Sequence, residues 1–343
     1  FLRDSGYRDH FTTDGHYRAD FYHNRLVLRE GRMFREKGFL EFAENIGDYL
    51  PRRSEKLNFN RFSFAEVFKS RLYDEARRAE CDRLILFLKE EKIFLIVDTV
   101  RALCQEPLSG AVLFHGERID ALKDGRFRIY EETQEGLRHF NRYKFKPEKK
   151  ARQSLLLCFA GVYDGISQET LRRNYRQEET VSCLFSRYFQ ENEYLSVVSL
   201  LIPECGKTRN ETEAARRRAE QIADSLVCSQ DRGGKHLSLR FKAGGKNWQM
   251  GMLCDEKARI EDLNLRPAYS FEAGRADYGP FSTDALFLIS NGERFAFTDG
   301  SRVDYKGSTL FSSYPNSVYQ TDFVRFLRRA GSRGSYEAPI IPS

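Results

Sequence analysis

The sequence predicts a mostly β fold: a large antiparallel β-sandwich with one or two short helices. The chain of 343 residues holds 28 Phe and 17 Tyr against one Trp and three Met, and aromatic residues favour half-buried, pleated surfaces. Short apolar runs alternate with turns along most of the chain, and only one stretch has the composition of a long helix. We find no linker that splits the chain. We therefore expect one domain over residues 1–325, followed by a mobile Gly-, Ser- and Pro-rich tail over 326–343.

Four stretches predict hairpins. "RLILFLKEEKIFLIVD" has two apolar arms around the polar "KEEK", and "ALKDGRFRIYEE" carries Asp-Gly between extended arms. Gly-Gly and Asn-Gly are the predicted turn dipeptides in "KHLSLRFKAGGKNWQMGMLCD" and "ALFLISNGERFAFTDG". The continuous apolar runs "SLLLCFAGVYD" and "YLSVVSLLIPE" predict strands that are covered on both faces.

One helix is predicted over "NETEAARRRAEQIADSLVCSQ". It is rich in Ala, Glu and Arg, starts at Asn or Thr, and has acidic residues in its first turn. We interpret its "ARRRAE" core as a solvated face.

Charge and cysteine content limit the function classes. The net charge of +6 comes from 56 basic and 50 acidic residues spread over the chain, without the clustered basic face of a nucleic-acid binder. No apolar stretch approaches the roughly 20 residues of a membrane helix. The seven cysteines are scattered singly, which favours buried free thiols over a complete disulfide framework. We therefore expect neither a nucleic-acid nor a membrane partner.

The clearest candidate site is the N-terminal stretch "FYHNRLVLREG" with the polar residues before it. Three of the six histidines lie within the first 23 residues. If this stretch is a strand, alternation places His23 and Arg25 on one face and Tyr22 and Asn24 on the other. A neutral imidazole relays protons near pH 7, and Arg neutralises a carboxylate. Alternatively, His23 and Asn24 only satisfy backbone groups at a strand end, and the residues leave both readings open.

Other candidates carry less signal. His115 in "LFHGERI" follows an apolar run and fits a hydrogen-bonded core histidine better than a ligand. Asp98 in "FLIVDTV" is explained as the end of a buried strand. His and Asp could ligate a zinc-like ion, but the sequence has no HxH or HExxH spacing.

Five segments together resemble the C-terminal β-sandwich (supersandwich-like) domain of the heparinase II/III-like polysaccharide lyases. They are "FLRDSGY", "YHNRLVLREG", "RRAECDRLILFLKEEKIFLIVDTV", "VLFHGERI" and "NLRPAYSFEAGRADYG". The resemblance lies in pattern and order over most of the chain rather than in one sharp motif. It departs from the family at Arg25, where members commonly have a small hydroxyl residue after His-Asn.

The resemblance implies a polysaccharide lyase that cleaves uronic-acid glycans by β-elimination. Its partners would be an acidic polysaccharide, such as a glycosaminoglycan, and a preceding α/α-toroid domain, so this chain would be part of a longer enzyme, periplasmic or secreted. The implied site residues fall into three groups: catalytic His23, Asn24, Arg25 and Tyr22; substrate-binding Arg18, His16 and Tyr17; and His23, His115 and Asp20 for one divalent, zinc-like metal ion. The alternative is a non-catalytic carbohydrate-binding or structural β-sandwich.

Overall fold

The computed structural model describes residues 24–31, 53–74, 78–116, 118–131, 153–172, 179–189, 193–231, 233–255, 260–261, 268–269, 271–312 and 335–340. These residues divide into two compact units. Unit 1 lies within Phe1–Phe59 and Val67–Asp224, and unit 2 within Asn60–Glu66 and Ser225–Ser343. The single domain expected over residues 1–325 remains a prediction, within which these two compact units are found. Residues 60–66 contain the turn of a hairpin. The chain passes between the two units at this turn, where the sequence does not resemble a linker.

Unit 1 contains the first twelve strands and the long helix. Their bounds are β1 (Leu26–Glu30), β2 (Arg53–Arg61), β3 (Ala65–Asp74), β4 (Ala79–Leu88), β5 (Ile93–Ala102), β6 (Leu108–Gly116), β7 (Ile119–Ala121), β8 (Arg126–Tyr130), β9 (Ser154–Ala160), β10 (Gly165–Arg172), β11 (Glu179–Phe189), β12 (Tyr194–Glu204) and α1 (Arg209–Asp224), of which the β2–β3 turn belongs to unit 2. They form a four-stranded sheet of order β1-β6-β11-β10 and an eight-stranded sheet of order β2-β3-β4-β5-β12-β9-β8-β7. The predicted mostly β, antiparallel sandwich architecture is confirmed.

One apolar core joins the two sheets of unit 1. It contains Leu26 and Leu28 of β1 and Phe114 of β6 from the smaller sheet, together with residues of β5, β8, β9 and β12 from the larger one. Burying such side chains fully stabilises the fold by roughly 1.5–3 kcal/mol each. The two apolar runs that predicted strands covered on both faces form β9 and β12. All nine residues of Tyr194–Ile202 have apolar or hydroxyl side chains and are buried.

The helix α1 packs against β9 and β12 and buries Ala219, Ile222 and Ala223. It begins with a capping box. The Glu211 amide donates to Thr208 Oγ1 at 3.2 Å, and the Thr208 amide donates to Glu211 Oε2 at 3.3 Å. The predicted helix is confirmed over Arg209–Asp224, with Thr208 as its N-cap. The end of the predicted stretch was wrong, because Val227–Gln230 forms a strand instead.

Unit 2 is also built from antiparallel sheets. Its elements are β13 (Val227–Gln230), β14 (His236–Ala243), β15 (Lys246–Leu253), β16 (Ile260–Glu261), β17 (Ala268–Tyr269), α2 (Phe271–Gly274), β18 (Ala276–Tyr278), β19 (Phe281–Thr283), β20 (Phe287–Ser290), β21 (Arg294–Thr298), β22 (Arg302–Tyr305), β23 (Ser308–Ser312) and β24 (Ser335–Pro339). The sheets have the orders β13-β14-β15-β20-β21-β24, β18-β19-β22-β23 and β16-β17. Phe281, Phe295 and Phe297 lie in a core shared by the first two of these.

The strand β24 falls within the segment expected to be a mobile tail. Ser335–Pro339 pairs along its whole length with β21. Glu337 accepts hydrogen bonds from the Ser63 amide and hydroxyl, and it pairs with Arg294 at 2.7 Å. Residues 335–339 thus form a paired strand within the Gly- and Ser-rich segment for which the sequence predicts a mobile tail. The remainder of 326–343, apart from Ile340, lies outside the described residues.

The predicted hairpins are confirmed. β4 pairs with β5 up to Leu88↔Ile93 around the "KEEK" turn, and Asp124 and Gly125 have φ of 58° and 70° between β7 and β8. Both values lie in the left-handed region that a two-residue Asp-Gly turn requires. Gly244 and Gly245 join β14 to β15 in the same way, with φ of 60° and 75°.

Candidate functional site

Only part of the predicted site falls on described residues. Asn24, Arg25 and His115 are described, whereas six other predicted site residues lie outside the described residues: His16, Tyr17, Arg18, Asp20, Tyr22 and His23. The assigned roles of those six therefore remain predictions. The strand begins at Leu26, so Asn24 and Arg25 form the entry to β1.

Asn24 is held by groups from both sheets of unit 1. Its side-chain Oδ1 accepts a hydrogen bond from the His115 backbone amide of β6 at 2.8 Å. Its own carbonyl accepts one from Arg83 Nη1 of β4, also at 2.8 Å. Because both sheets hydrogen-bond to Asn24, the position at which the chain enters β1 is fixed. Both contacts satisfy backbone groups, and the catalytic role assigned to Asn24 remains a prediction.

Arg83 makes its contact from within a buried ion pair. Its Nε and Nη2 donate to the two carboxylate oxygens of Asp98 at 2.7 and 2.9 Å. The Asp98 side chain is only 4% exposed and that of Arg83 22%. Burial alone would lower the pKa of the Arg83 guanidinium, but the Asp98 carboxylate outweighs it and raises that pKa above its ordinary value. The guanidinium therefore stays charged, and its remaining donor, Nη1, contacts the Asn24 carbonyl.

The sequence context predicted that Asp98 ends a strand, and this prediction was wrong. It lies within β5, directly across from Arg83 in the β4–β5 register. Sequence reasoning missed the pair because each residue was considered alone. Counting outward from the "KEEK" turn would have placed the two opposite each other on one sheet face, where opposite charges make buried partners.

Arg25 is half-buried, and its Nε donates to the Leu26 carbonyl at 3.2 Å. Its charge acts on Cys81 of β4. Burial raises the pKa of the Cys81 thiol well above its ordinary value, Asp74 adds to this, and Arg25 opposes it. The thiol is therefore neutral and unreactive, and the Arg25 cation lies close to the rim of the unit 1 core.

His115 is completely buried in β6, the environment expected of a core histidine. Among the described residues, no three His, Cys, Asp or Glu side chains come together as a metal-binding group. The described cysteines are free thiols, of which Cys104, Cys158 and Cys254 are buried. The zinc-like ion remains a prediction that depends on His23 and Asp20, and no chemical step is derived through it.

A second charged cluster lies on the opposite face of β4. Asp82 pairs with Arg71 Nε at 2.6 Å and with Lys69 Nζ at 3.1 Å, both from β3. Burial opposes the charge of Asp82, but Lys69 and Arg71 outweigh it and hold the pKa of this carboxyl below its ordinary value of 3.8.

The Asp82 cluster makes stability depend on pH. Because the folded-state pKa is lowered, the stabilisation is present above the ordinary value of 3.8 and is lost as pH falls from there through the folded pKa. We expect Asp82→Asn to lower the free energy of unfolding at pH 7, with a difference from wild type that shrinks in acid. Urea unfolding across pH measures this, with the exposed Asp277→Asn as control. A difference that persists or grows below the ordinary pKa would contradict it.

Comparisons with known proteins concern the fold alone. No family model and no curated protein matches the chain. Among solved structures it is similar to a heparinase III, with 12% identity, a TM-score of 0.47, and coverage of 74% of this chain and 34% of that chain. It is also similar to the heparan sulfate lyase HepC from Pedobacter heparinus, with 11% identity, a TM-score of 0.48, and coverage of 74% and 35%. A putative kojibiose phosphorylase from the human microbiome matches with 7% identity and a TM-score of 0.32 over 63% and 29%.

The matched region spans about a third of the length of the heparinase and the lyase. Heparinase-type proteins, the class that the sequence resembles, are thus among the matched structures. Neither described helix has the length and hydropathy needed to cross a membrane.

Proposed function

We propose that the chain is the β-sandwich part of a polysaccharide lyase that cleaves uronic-acid glycans by β-elimination. The supporting lines are the resemblance carried by the five sequence segments and the geometry at the entry to β1. An upstream α/α-toroid domain would complete the active site, and a periplasmic or secreted location would expose the enzyme to its polymer. Both of these belong to the proposal.

The chemistry requires three groups. One neutralises the uronate carboxylate, a base removes the proton from the adjacent ring carbon, and an acid protonates the glycosidic oxygen as its bond to the neighbouring carbon breaks. The electron pair left by the proton becomes the new carbon–carbon double bond. Arg25 suits carboxylate neutralisation, His23 suits proton relay, and Tyr22 with the toroid's residues would supply the rest.

The observation that carries the proposal is the double anchoring of Asn24. Catalytic groups must be held within a fraction of an ångström of their productive geometry. Asn24 sits between His23 and Arg25 and is fixed by β4 through its carbonyl and by β6 through its side chain. The backbone at Asn24, which leads into Arg25 and β1, is therefore held by the sandwich core.

The test is turnover by the full-length protein on a panel of uronic polysaccharides, followed by the ultraviolet absorbance of the unsaturated product. We expect His23→Ala and Arg25→Ala to lower kcat by roughly a hundredfold, the scale of one acid–base group. Arg29→Ala is the matched control, since it removes an arginine from the same strand. Absence of unsaturated product from wild type would refute the lyase proposal, and full turnover by both variants would refute the assigned residues.

One observation favours the alternative, a non-catalytic carbohydrate-binding sandwich. Val162 and Tyr163, between β9 and β10, are 56% and 52% exposed, and exposed aromatic residues provide faces on which sugar rings stack. In that case His23→Ala and Arg25→Ala would retain most of the glycan affinity. Tyr163→Ala would lose it.

A further inference from the structure

The inner face of β4 and β5 changes character along its length. In the register of these strands Ala79↔Ala102, Cys81↔Val100, Arg83↔Asp98, Ile85↔Ile96 and Phe87↔Phe94 are successive pairs on one face. The pairs before Arg83↔Asp98 lie in or against the unit 1 core, next to Leu26 and Leu28 of β1. The smaller sheet therefore covers this face as far as the ion pair, beside which Asn24 leads into β1. Beyond it, Ile96 still packs against the same core.

Beyond the ion pair the face is partly open. Phe94 is 41% exposed, the highest value for any phenylalanine whose burial the structure describes, and Ile85, Phe87 and Ile96 are half-buried. We name these four residues the inner strip. The exposed Phe94 ring with its apolar neighbours makes the inner strip a candidate binding surface. Along β4 the strip extends from Ile85 to Phe87, about 7 Å at the rise of a β-strand, with Ile96 and Phe94 beside it on β5.

The two phenylalanines of the strip form a fixed pair. The ring centroids of Phe87 and Phe94 are 4.6 Å apart at an interplanar angle of 27°. This cross-strand stack holds the exposed Phe94 ring in place. The face of an aromatic ring carries negative charge, which attracts the C–H groups on the apolar side of a sugar ring.

The turn beyond the strip carries two lysines. Lys89 is half-buried and Lys92 is exposed. The Lys92 amide closes the turn on the Leu88 carbonyl at 2.8 Å. Of the two glutamates between them, Glu91 is buried and its carbonyl accepts from Arg218 of α1, whereas Glu90 is exposed. Apolar rings followed by cations match a ligand with apolar ring faces and regularly spaced anionic groups.

We propose that the inner strip binds the chain of an acidic glycan, with sugar rings on Phe94 and carboxylate or sulfate groups at Lys92 and Lys89. The ligand class rests on the proposed function. The strip itself is a separate surface from the entry to β1, with which it is continuous through Arg83. It would hold the polymer on one side of that entry while reaction occurs elsewhere along the chain.

The experiment uses the full chain and immobilised heparan sulfate, with dextran as the uncharged probe. We expect Phe94→Ser to weaken retention on heparan sulfate roughly two- to tenfold, the range for one aromatic contact. Lys92→Asn should weaken it and make it less dependent on salt, since one ionic contact is lost. Glu90→Gln should leave retention unchanged or raise it.

Two matched controls lie in unit 2. Val227→Ser removes an apolar side chain that is 44% exposed on a strand, and Lys306→Asn replaces an exposed lysine with φ of 50°, close to the 57° of Lys92. Asn tolerates this left-handed backbone, so both lysine variants are expected to fold, and thermal unfolding checks each protein. Equal retention for strip and control variants, or no retention of wild type, would overturn the proposal.

Other occupants of the strip give different results. A photoreactive phenylalanine analogue at position 94 that crosslinks within its own chain would show that a segment of the protein covers the strip, and a crosslinked dimer would show a second copy. Either outcome overturns the proposal. If wild type shows lyase turnover but no heparan sulfate binding at the strip, only the strip proposal is refuted. If it binds heparan sulfate through the strip but shows no turnover, the lyase function is refuted and the strip proposal is retained.

Discussion

Replacing Asp98 with alanine is expected to lower the free energy of unfolding by about 3–5 kcal/mol, the usual cost of removing one partner from a buried ion pair. In the wild type, Asp98 supplies both oxygens that Arg83 Nε and Nη2 contact. In the variant, the charged Arg83 would lose both of these oxygens. The loss would reach the Asn24 carbonyl, because the same guanidinium binds it at 2.8 Å. Urea unfolding of wild type and variant measures the effect.

Two controls separate burial from charge. Asp120→Ala breaks an arginine–aspartate pair of the same bidentate geometry, with both contacts at 3.0 Å, but its side chains are 52% and 37% exposed. We expect it to cost about 0–1 kcal/mol. The double variant Arg83→Met with Asp98→Leu should recover most of the stability lost by Asp98→Ala, since it leaves no buried charge. A cost for Asp98→Ala no larger than that of Asp120→Ala would contradict the prediction.

Glu204→Ala is expected to have an effect of similar size, about 3–5 kcal/mol. The Glu204 side chain is fully buried and accepts from Arg128 Nε and Nη2 at 2.8 and 2.9 Å and from Ser154 Oγ at 2.5 Å. Hydrogen bonding to Glu204 is the main cause of the raised pKa of Arg128. Arg216 of α1 lies 3.9 Å away, so removing the carboxylate leaves two cations facing each other.

The readout for Glu204 includes the helix. Because Arg216 belongs to α1 and Arg128 to β8, we expect Glu204→Ala to speed amide hydrogen exchange in α1 as well as to lower the unfolding free energy. Glu220→Ala is the control. It removes the other partner of Arg128, which contacts the same guanidinium at 2.8 Å but is 48% exposed, and it should cost at most about 1 kcal/mol. Equal effects of the two variants would show that burial does not decide the cost.

Local signals predicted the fold well. Asp124-Gly125 and Gly244-Gly245 adopt the positive φ that tight hairpin turns require and that these dipeptides favour. The signal for each turn therefore lies within a few residues of its hairpin. Thr208 and Glu211 likewise mark the start of α1 within four residues. The pairing of β21 with β24 escaped prediction because it joins residues about forty positions apart, and no local pattern encodes such a partner.

The candidate site was predicted only in part, for the same reason. The entry to β1 attracted attention through its residue types, but what holds Asn24 is an arginine 59 positions later and a histidine amide 91 positions later. Asp98 looked like a strand end because a charge after "FLIV" usually faces solvent. Its burial is intelligible only once the β4–β5 register sets Arg83 opposite it.

The contact between Ser63 and Glu337 has a consequence for biosynthesis. These residues are 274 positions apart. Phe64, beside Ser63, packs at a tilt against Trp248, 184 positions later, with ring centroids 6.0 Å apart. A ribosome that adds roughly 5–20 residues per second needs on the order of fifteen seconds or more to pass from one to the other. Throughout that interval the turn at Ser63 lacks Glu337, and for about two thirds of it Phe64 also lacks Trp248. The nascent chain therefore exposes this apolar turn long after it has been made.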